Sequence, residues 1–204
     1  MLPSNQMSAL AQLCEEIRAC RECELAKHRT KVVPGEGAGD ADLVFIGEAP
    51  GWHEDQQGRP FVGPAGQFLD QLLASISLRR EEVYIANVIK CRPPQNREPL
   101  PVEMQSCGKW LDRQIEIIQP QMVITLGRYS LARYFPNDSI GKVHGKPRKL
   151  GGVIYYPMYH PAAALHQGSL RRTIEADMLK IPQILAQDRD LPEDAVESQQ
   201  LSLF

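Results

Sequence analysis

Residues 41–48 read ADLVFIGE and open a series of short, apolar, β-branched segments that decides the fold. The other members are EVYIANVIK at 82–90, QMVITLG at 121–127 and GVIYYPM at 152–158. Their length and composition are typical of buried strands. Helical patterns separate them, at 66–76, 101–118, 128–135 and 170–185. This alternation predicts an α/β domain built on a mostly parallel sheet.

The composition fits one domain followed by a tail. The chain has 204 residues and is 43% hydrophobic, which is enough for one well-packed core. From Gln187 the helical periodicity stops, and five acidic residues stand against one basic residue. We therefore place a domain at 1–186 and an acidic tail at 187–204. Since the whole chain carries −2 and the tail −4, the domain carries about +2, which neither demands nor excludes nucleic acid as a partner.

The N-terminal sequence indicates the compartment. MLPSNQMSALAQLCEEIRAC has neither a cationic start nor an apolar block, so it predicts no signal or transit peptide. No apolar run approaches the length that a membrane helix needs. We expect a cytoplasmic monomer with no membrane partner and with reduced thiols.

Four cysteines in two pairs indicate a soft-metal site. Cys20 and Cys23 have two residues between them, and Cys91 and Cys107 have 15. Iron and zinc favour thiolate donors, and a short spacing lets one segment present two thiolates to a common centre. Structural zinc, an iron-sulfur cluster and two disulfides all fit on count alone. The reducing compartment disfavours disulfides, and the wide second spacing is unusual for zinc. We interpret Cys14 as a small buried hydrophobe.

Chemically suggestive residues follow three of the four predicted strands, where α/β sheets place their sites. The first strand is followed by GEAPGWHEDQQGRPFVGPAGQFLD at 47–70, a tight Gly/Pro loop with carboxylates and an aromatic ring. An acidic surface loop is an equal alternative. The second strand ends at Asn87, whose amide offers a donor and an acceptor, although a turn or cap is also possible. The fourth runs into His160. A lone histidine is more often a satisfied polar group, but this one stands where a site is expected.

Together these segments resemble the family-four, iron-sulfur branch of the uracil-DNA glycosylases. The resemblance runs in order from Cys20 to about residue 184. It rests on the CxxC pair, GEAPG (47–51), GRPFVGPAGQFLD (58–70), NVIKCRPPQNREP (87–99), VITLG (123–127) and HPAA (160–163). Each motif alone is weak, but their order with these cysteine spacings is highly specific.

The resemblance implies a fold, an activity and a cofactor. The fold is a three-layer αβα sandwich around a central four-stranded parallel sheet. The activity is hydrolysis of the N-glycosidic bond of uracil in single- or double-stranded DNA, which leaves an abasic site and initiates base excision repair. The cofactor is a 4Fe-4S cluster, and the resemblance assigns it to Cys20, Cys23, Cys91 and Cys107.

It also implies how the base is held. Phe61 would stack on the uracil ring, and Gly47 and Pro50 belong to the loop that lines the pocket. Asn87 would pair with the uracil edge, and one fixed amide can favour uracil over cytosine.

For bond cleavage, His160 would donate a hydrogen bond to the uracil oxygen where negative charge collects. The better-known branch of the superfamily reads Gly-Gln-Asp-Pro where this chain has Gly47-Glu48-Ala49-Pro50. Alanine cannot replace the aspartate that positions water. Glu48 is the first substitute and Glu54 the second, and Glu54 is also the nearest candidate for the steric block that excludes thymine.

DNA holding needs cations and a wedge. The densest basic stretch, GKVHGKPRK at 141–149, predicts phosphate contacts through Lys142, Lys146 and Arg148. A solvated basic loop is nearly as good an interpretation. Leu165 is the expected wedge in the base stack, with Ala164 as the alternative.

The last five residues, Gln200-Leu201-Ser202-Leu203-Phe204, resemble the peptide that binds the bacterial sliding clamp. We expect Gln200, Leu201, Leu203 and Phe204 to dock in a hydrophobic groove of the clamp, in a bacterial cytoplasm. A frayed terminus is the alternative.

Two other functions remain open from the sequence. One is a uracil-DNA binding or covalent trapping protein on the same scaffold, although the basic insertion typical of that variant is missing from 87–107. The other is an iron-sulfur electron carrier, which would leave the GRPFVGPAG block and His160 without a purpose.

Overall fold

A six-stranded sheet lies at the centre of the protein. The structure is a computed structural model and describes residues 5–187 and 191–192. The strands are β1 (Glu36–Gly37), β2 (Leu43–Gly47), β3 (Tyr84–Asn87), β4 (Met122–Leu126), β5 (Arg148–Leu150) and β6 (Val153–Met158). Their order in the sheet is β1-β3-β2-β4-β6-β5. The four inner strands run parallel, while β1 and β5 pair antiparallel at the two edges.

The four predicted strands are confirmed as the parallel centre of this sheet. The prediction of only four strands is incomplete because it omits the edge strands β1 and β5. These have two and three residues. Segments that short show no periodicity from which the sequence alone could identify them.

Helices cover both faces of the sheet. In the described part of the chain they are α1 (Asn5–Ala19), α2 (Trp52–Gln57), α3 (Pro64–Ser75), α4 (Pro101–Ile118), α5 (Arg128–Tyr134), α6 (Ile140–Val143), α7 (Pro161–His166), α8 (Ser169–Met178) and α9 (Ile181–Ala186). The prediction for 101–118 coincides with α4. The single helix predicted at 170–185 is instead α8 and α9, because Pro182 lies in the first turn of α9 and cannot continue a helix from α8.

Alternation along the strands builds the three layers. Val44 and Ile46 face a core formed with α1, α4 and α5. Leu43 and Phe45 point the other way, into a core formed with α3, α8 and α9. Successive side chains of a strand point to opposite faces, so an apolar run without alternation is buried on both. The predicted αβα sandwich is thus confirmed.

Two sequence predictions fall wholly or mostly outside this description. Of the predicted tail at 187–204, only residues 187, 191 and 192 belong to the described part, and the peptide at 200–204 lies outside it. Among the described helices, none combines the length and the apolar character that crossing a membrane requires.

Candidate functional site

The carboxyl ends of β2 and β3 meet beside an aromatic ring. Gly47, the last residue of β2, is paired in register with Asn87, the last residue of β3. A Cβ atom on Gly47 would lie 2.4 Å from Oδ1 of Asn87 and 2.7 Å from Cζ of Phe61. Glycine is therefore required here, because the Asn87 amide and the Phe61 ring close over the strand end. Three residues that the sequence assigned to one site are brought together.

His160 adds a hydrogen-bond donor to the same place. Its ring stacks near that of Phe61, with centroids 5.4 Å apart and planes 26° from parallel. His160 also caps α7, since Nδ1 accepts a hydrogen bond from the backbone N–H of Ala162 at 3.1 Å. A neutral imidazole that accepts at Nδ1 carries its proton on Nε2, so we assign the donor to Nε2–H.

The charge state of His160 follows from its surroundings. Burial lowers the pKa of His160 to about 4, and the nearby charge of Glu54 opposes this only in part. The ring is therefore neutral near pH 7. A neutral imidazole can donate through Nε2–H, and this hydrogen bond strengthens as the accepting oxygen gains negative charge.

The two candidate carboxylates have different surroundings. Glu48 follows Gly47 directly and is half-buried. Burial raises the pKa of Glu48, the charge of Glu98 adds to the rise, and Arg128 opposes it. Glu54 instead accepts hydrogen bonds from the backbone N–H groups of Gly51, Val62 and Gly63, at 3.1, 3.0 and 3.0 Å. These bonds give the Glu54 carboxylate a role in holding the 51–63 loop, and Pro50, which directly precedes this loop, is buried.

Sequence reasoning missed a polar cluster at the end of β4. The Glu98 carboxylate binds both the Arg128 guanidinium and the Tyr129 hydroxyl. The guanidinium lies 4.7 Å from the Tyr129 ring centroid. Arg128 and Tyr129 directly follow the VITLG motif. Their position at the carboxyl end of a parallel strand could have identified them as site residues from the sequence.

The predicted DNA contacts divide into two kinds. Lys142 and Lys146 are exposed, and Nζ of Lys146 donates to the Lys142 carbonyl at 2.8 Å. Arg148, by contrast, pairs with Asp138 at 2.5 Å and lies 4.0 Å from the ring centroid of Phe135. Its charge is already used within the protein, so Arg148 is the weakest of the three as a phosphate contact.

The basic segment lies close to the histidine. The ring of His144, within that segment, is 4.7 Å from the ring of Tyr159, the neighbour of His160. On α7, Leu165 is 51% exposed, whereas Ala164 packs against the core. Of the two wedge candidates, Leu165 is therefore the one that protrudes.

The four paired cysteines surround one cavity. Cys20, Cys23, Cys91 and Cys107 all line it, together with apolar groups that include Ile17 and Trp110. All five cysteines of the chain are reduced, so no disulfide joins them. Cys14 does not line the cavity; burial raises the pKa of its thiol, and the Tyr84 hydroxyl opposes that rise. The expectation that Cys14 is buried is only partly met, because it is half-buried.

Two of the sulfurs receive N–H donors. Cys91 Sγ accepts from the Arg29 guanidinium at 3.0 Å, and Cys107 Sγ accepts from the backbone N–H of Lys90 at 3.3 Å. Burial raises the pKa of both thiols, that of Cys107 to about 12, while the neighbouring cations Arg29 and Lys90 oppose the rise.

This donor set fits an iron-sulfur cluster. Within residues 5–187 and 191–192, no three His, Cys, Asp or Glu side chains are close enough to hold a single metal ion. Four soft thiols around one cavity, with N–H groups directed at the sulfurs and apolar walls, are the surroundings in which protein iron-sulfur clusters are held and tuned.

Comparison with known proteins gives a consistent result. A sequence model described as the uracil DNA glycosylase superfamily matches residues 34–180. A type-4 uracil-DNA glycosylase of Sulfurisphaera tokodaii is 46% identical over 188 residues, which cover 87% of this chain and 86% of that protein. Type-4 uracil-DNA glycosylases of Archaeoglobus fulgidus and Thermotoga maritima are 45% and 47% identical. They match 87% and 81% of this chain, and 94% and 89% of their own lengths.

Proposed function

Since the chain belongs to the uracil DNA glycosylase superfamily and acts in DNA repair as a glycosylase that releases uracil, we propose that the pocket of Gly47, Phe61, Asn87 and His160 receives the base. The observation that carries this proposal is the close approach of Asn87 and Phe61 over Gly47. It leaves a flat ring and a fixed amide at one strand end.

The pocket supports recognition of an extruded uracil. A base inside a duplex cannot reach such a site, so the nucleotide must be single-stranded or flipped out. Phe61 offers a ring face for stacking. The Asn87 amide can donate to the uracil carbonyl and accept from the ring N–H beside it, whereas cytosine presents the opposite pattern there. Asn87 is 2% exposed, so a mismatched partner would leave its amide buried and unpaired.

Bond cleavage places negative charge on the base and positive charge on the sugar. As the bond between the sugar C1′ and the base nitrogen breaks, its electron pair leaves with uracil, and Nε2–H of His160 stabilises the resulting anion. The Glu48 carboxylate stabilises the sugar cation, orients the water whose oxygen bonds to C1′, and accepts the proton that this water loses. Glu54 acts indirectly in this scheme. Its carboxylate accepts the N–H groups of Val62 and Gly63 and so holds the loop that carries Phe61.

We infer that Lys142 and Lys146 contact phosphates and that Leu165 enters the base stack. Both lysines are exposed on a segment that packs beside Tyr159, next to His160. Leu165 protrudes from the helix that His160 begins. The basic segment and the helix that carries Leu165 are both neighbours of His160, which supports a role for them in holding DNA.

We further infer that Cys20, Cys23, Cys91 and Cys107 hold a 4Fe-4S cluster. When bound, the cluster would supply four metal–thiolate bonds that tie the segment after α1 to α4 and to the residues following β3. The reaction proposed above is a hydrolysis, and none of its steps transfers an electron.

The activity is tested with a uracil-containing oligonucleotide and a cytosine-containing control, each incubated with the protein and then treated with alkali. Scission at uracil alone is the expected result, since alkali cleaves the chain at an abasic site. Uracil-dependent binding or a gel-stable adduct without scission would instead identify a trapping protein. A lack of both would contradict every role given to the pocket.

The fall of kcat/KM at acidic pH should report the protonation of Glu48. Burial raises the pKa of Glu48 above its ordinary value of 4.5, and the carboxylate acts only when ionised. We expect kcat/KM to fall with decreasing pH at a pH above 4.5, before His160 takes up its proton near pH 4. Glu48→Gln should lower kcat roughly 10²-fold and remove this limb.

Glu98→Gln is the matched control for this prediction. The negative charge of Glu98 contributes to the raised pKa of Glu48. Removing that charge should therefore shift the acid limb of the kcat/KM profile to lower pH and leave the plateau rate largely intact. A limb that persists unchanged in Glu48→Gln would assign the titration to another group.

We propose that the peptide at 200–204 binds the bacterial sliding clamp. Its sequence, with glutamine and three apolar residues after an acidic segment, supports docking in a hydrophobic groove. Deleting 200–204 should abolish retention by immobilised clamp and leave uracil release from short oligonucleotides unchanged. Ser202→Ala is the control, since it alters the variable position only. Retention that survives the deletion would refute the proposal.

A further inference from the structure

Phe61 holds an unfavourable backbone conformation. Its φ is +51°, in the left-handed region that residues with bulky side chains rarely adopt. Such a conformation persists only where neighbouring groups impose it, and it is typical of functional sites. The groups that impose it also fix the direction of the Phe61 ring.

Arg80 holds the carbonyl side of this segment. It lies in the 3₁₀ turn Arg80–Glu82, just before β3. Its Nη1 donates to the Phe61 carbonyl at 3.0 Å, and its Nη2 donates to the Pro60 carbonyl. The guanidinium is also held in place by Glu36 at 3.0 Å and Asp70 at 2.9 Å. The Arg80 side chain is only 13% exposed, so its bonds to the two carbonyls are partly shielded from water.

Two further residues, Glu54 and Gly66, constrain the backbone around Phe61. Glu54 accepts the backbone N–H groups of Val62 and Gly63, which follow Phe61. Gly66 gives the Phe61 carbonyl the room it needs, because a Cβ atom there would lie 1.7 Å from that oxygen. The peptide groups on both sides of Phe61 are thus held by side chains of opposite charge.

We propose that Arg80 is a positioning residue for uracil recognition, which holds the carbonyls of Pro60 and Phe61 and so fixes the Phe61 ring against the base. The inference rests on the proposed role of Phe61 as the stacking surface. Lysine is a compact point charge and cannot reproduce the two-carbonyl fork of a guanidinium. Arg80→Lys should therefore keep the ion pairs with Glu36 and Asp70 and lose the paired hydrogen bonds to the two carbonyls.

A double-mutant cycle separates this role from a structural one. The four proteins are the wild type, Arg80→Lys, Phe61→Ala and the double variant, compared by kcat/KM on a uracil oligonucleotide. Arg80→Lys should lower kcat/KM roughly 10- to 100-fold, since small misplacements of a binding group cost that much. If Arg80 acts through Phe61, the double variant should be no slower than Phe61→Ala alone.

Asp70→Asn is the matched control, because it removes the charge of one partner of the same guanidinium and leaves both carbonyl bonds. It should change kcat/KM less than about twofold, because the Asp70 side chain is 47% exposed and such partners contribute little. Far-ultraviolet circular dichroism at the assay temperature establishes that each variant is folded. Should Arg80→Lys fail to fold, Gly66→Ala displaces the same carbonyl and enters the same cycle.

The outcomes distinguish the two proposals. If Phe61→Ala leaves kcat/KM unchanged, the stacking role and the inference both fail. If Phe61→Ala is slow and Arg80→Lys lowers its rate further by the same factor as in the wild type, Phe61 keeps its role and the inference about Arg80 is overturned. An unchanged rate in Arg80→Lys overturns it as well.

Discussion

His160→Ala is expected to lower kcat for uracil release by about 10²- to 10³-fold, with a much smaller change in KM. The reason is that, in the proposed reaction, Nε2–H meets an oxygen that becomes strongly negative only as the glycosidic bond breaks. Its hydrogen bond therefore stabilises the transition state more than the bound substrate. Single-turnover rates at saturating enzyme measure this directly, because they exclude product release.

The variant also removes a helix cap, and this has to be separated from catalysis. Nδ1 of His160 accepts the Ala162 N–H, and loss of an N-cap costs about 1 kcal/mol of stability. His160→Asn restores a capping oxygen but shortens the donor's reach, so it should recover stability without recovering kcat. His166→Ala, at the other end of α7, controls for substitutions on this helix. A rate that returns with the asparagine cap would show that His160 acts only through the fold.

The parallel sheet was readable from the sequence because its strands are buried on both faces. ADLVFIGE and the other strand sequences carry apolar residues at successive positions, which is what two-sided burial requires. The edge strands β1 and β5 were not readable, since each contains at most three residues. The break between α8 and α9 carried one signal, Pro182, which the prediction of a single helix overlooked.

The site was only partly readable, for a different reason. Gly47, Asn87 and His160 stand at strand ends, so their meeting follows from the parallel topology. The function of Arg80 does not, because its carbonyl partners are 19 and 20 residues away in the chain and no spacing encodes them. Glu54 shows the same limit, since its residue type suits catalysis but its three backbone bonds appear only in the folded loop.

The contact between the cysteine cavity and the pocket was also beyond the sequence. Lys90 is 1% exposed, and its Nζ donates to the Asn87 carbonyl at 2.8 Å and to Oε1 of Gln114 at 2.7 Å. Its own backbone N–H donates to Cys107 Sγ at 3.3 Å. One buried residue therefore bonds both to the end of β3 at Asn87 and to a cavity cysteine, while Gln114 and Cys107 belong to the same helix, α4.

Cys107→Ser is expected to have the largest effect on the protein as a whole. Serine is a hard oxygen donor and a poor ligand for iron, so the purified variant should lose the visible iron-sulfur absorbance and most of its iron and sulfide. Because binding of a structural metal centre contributes directly to folding, the free energy of unfolding should fall by more than about 4 kcal/mol. Urea titration measures that change, and metal analysis measures the loss of the cluster.

Cys14→Ser provides the matched control, since Cys14 lies outside the cavity. It should retain full iron content and nearly the wild-type urea midpoint. Uracil release should fall with the cluster in Cys107→Ser, because Lys90 would lose the sulfur that anchors its backbone while it holds the Asn87 carbonyl. A Cys107→Ser protein that kept its iron, its stability and its rate would remove Cys107 from the ligand set. Loss of iron from Cys14→Ser would reassign the fourth ligand to Cys14.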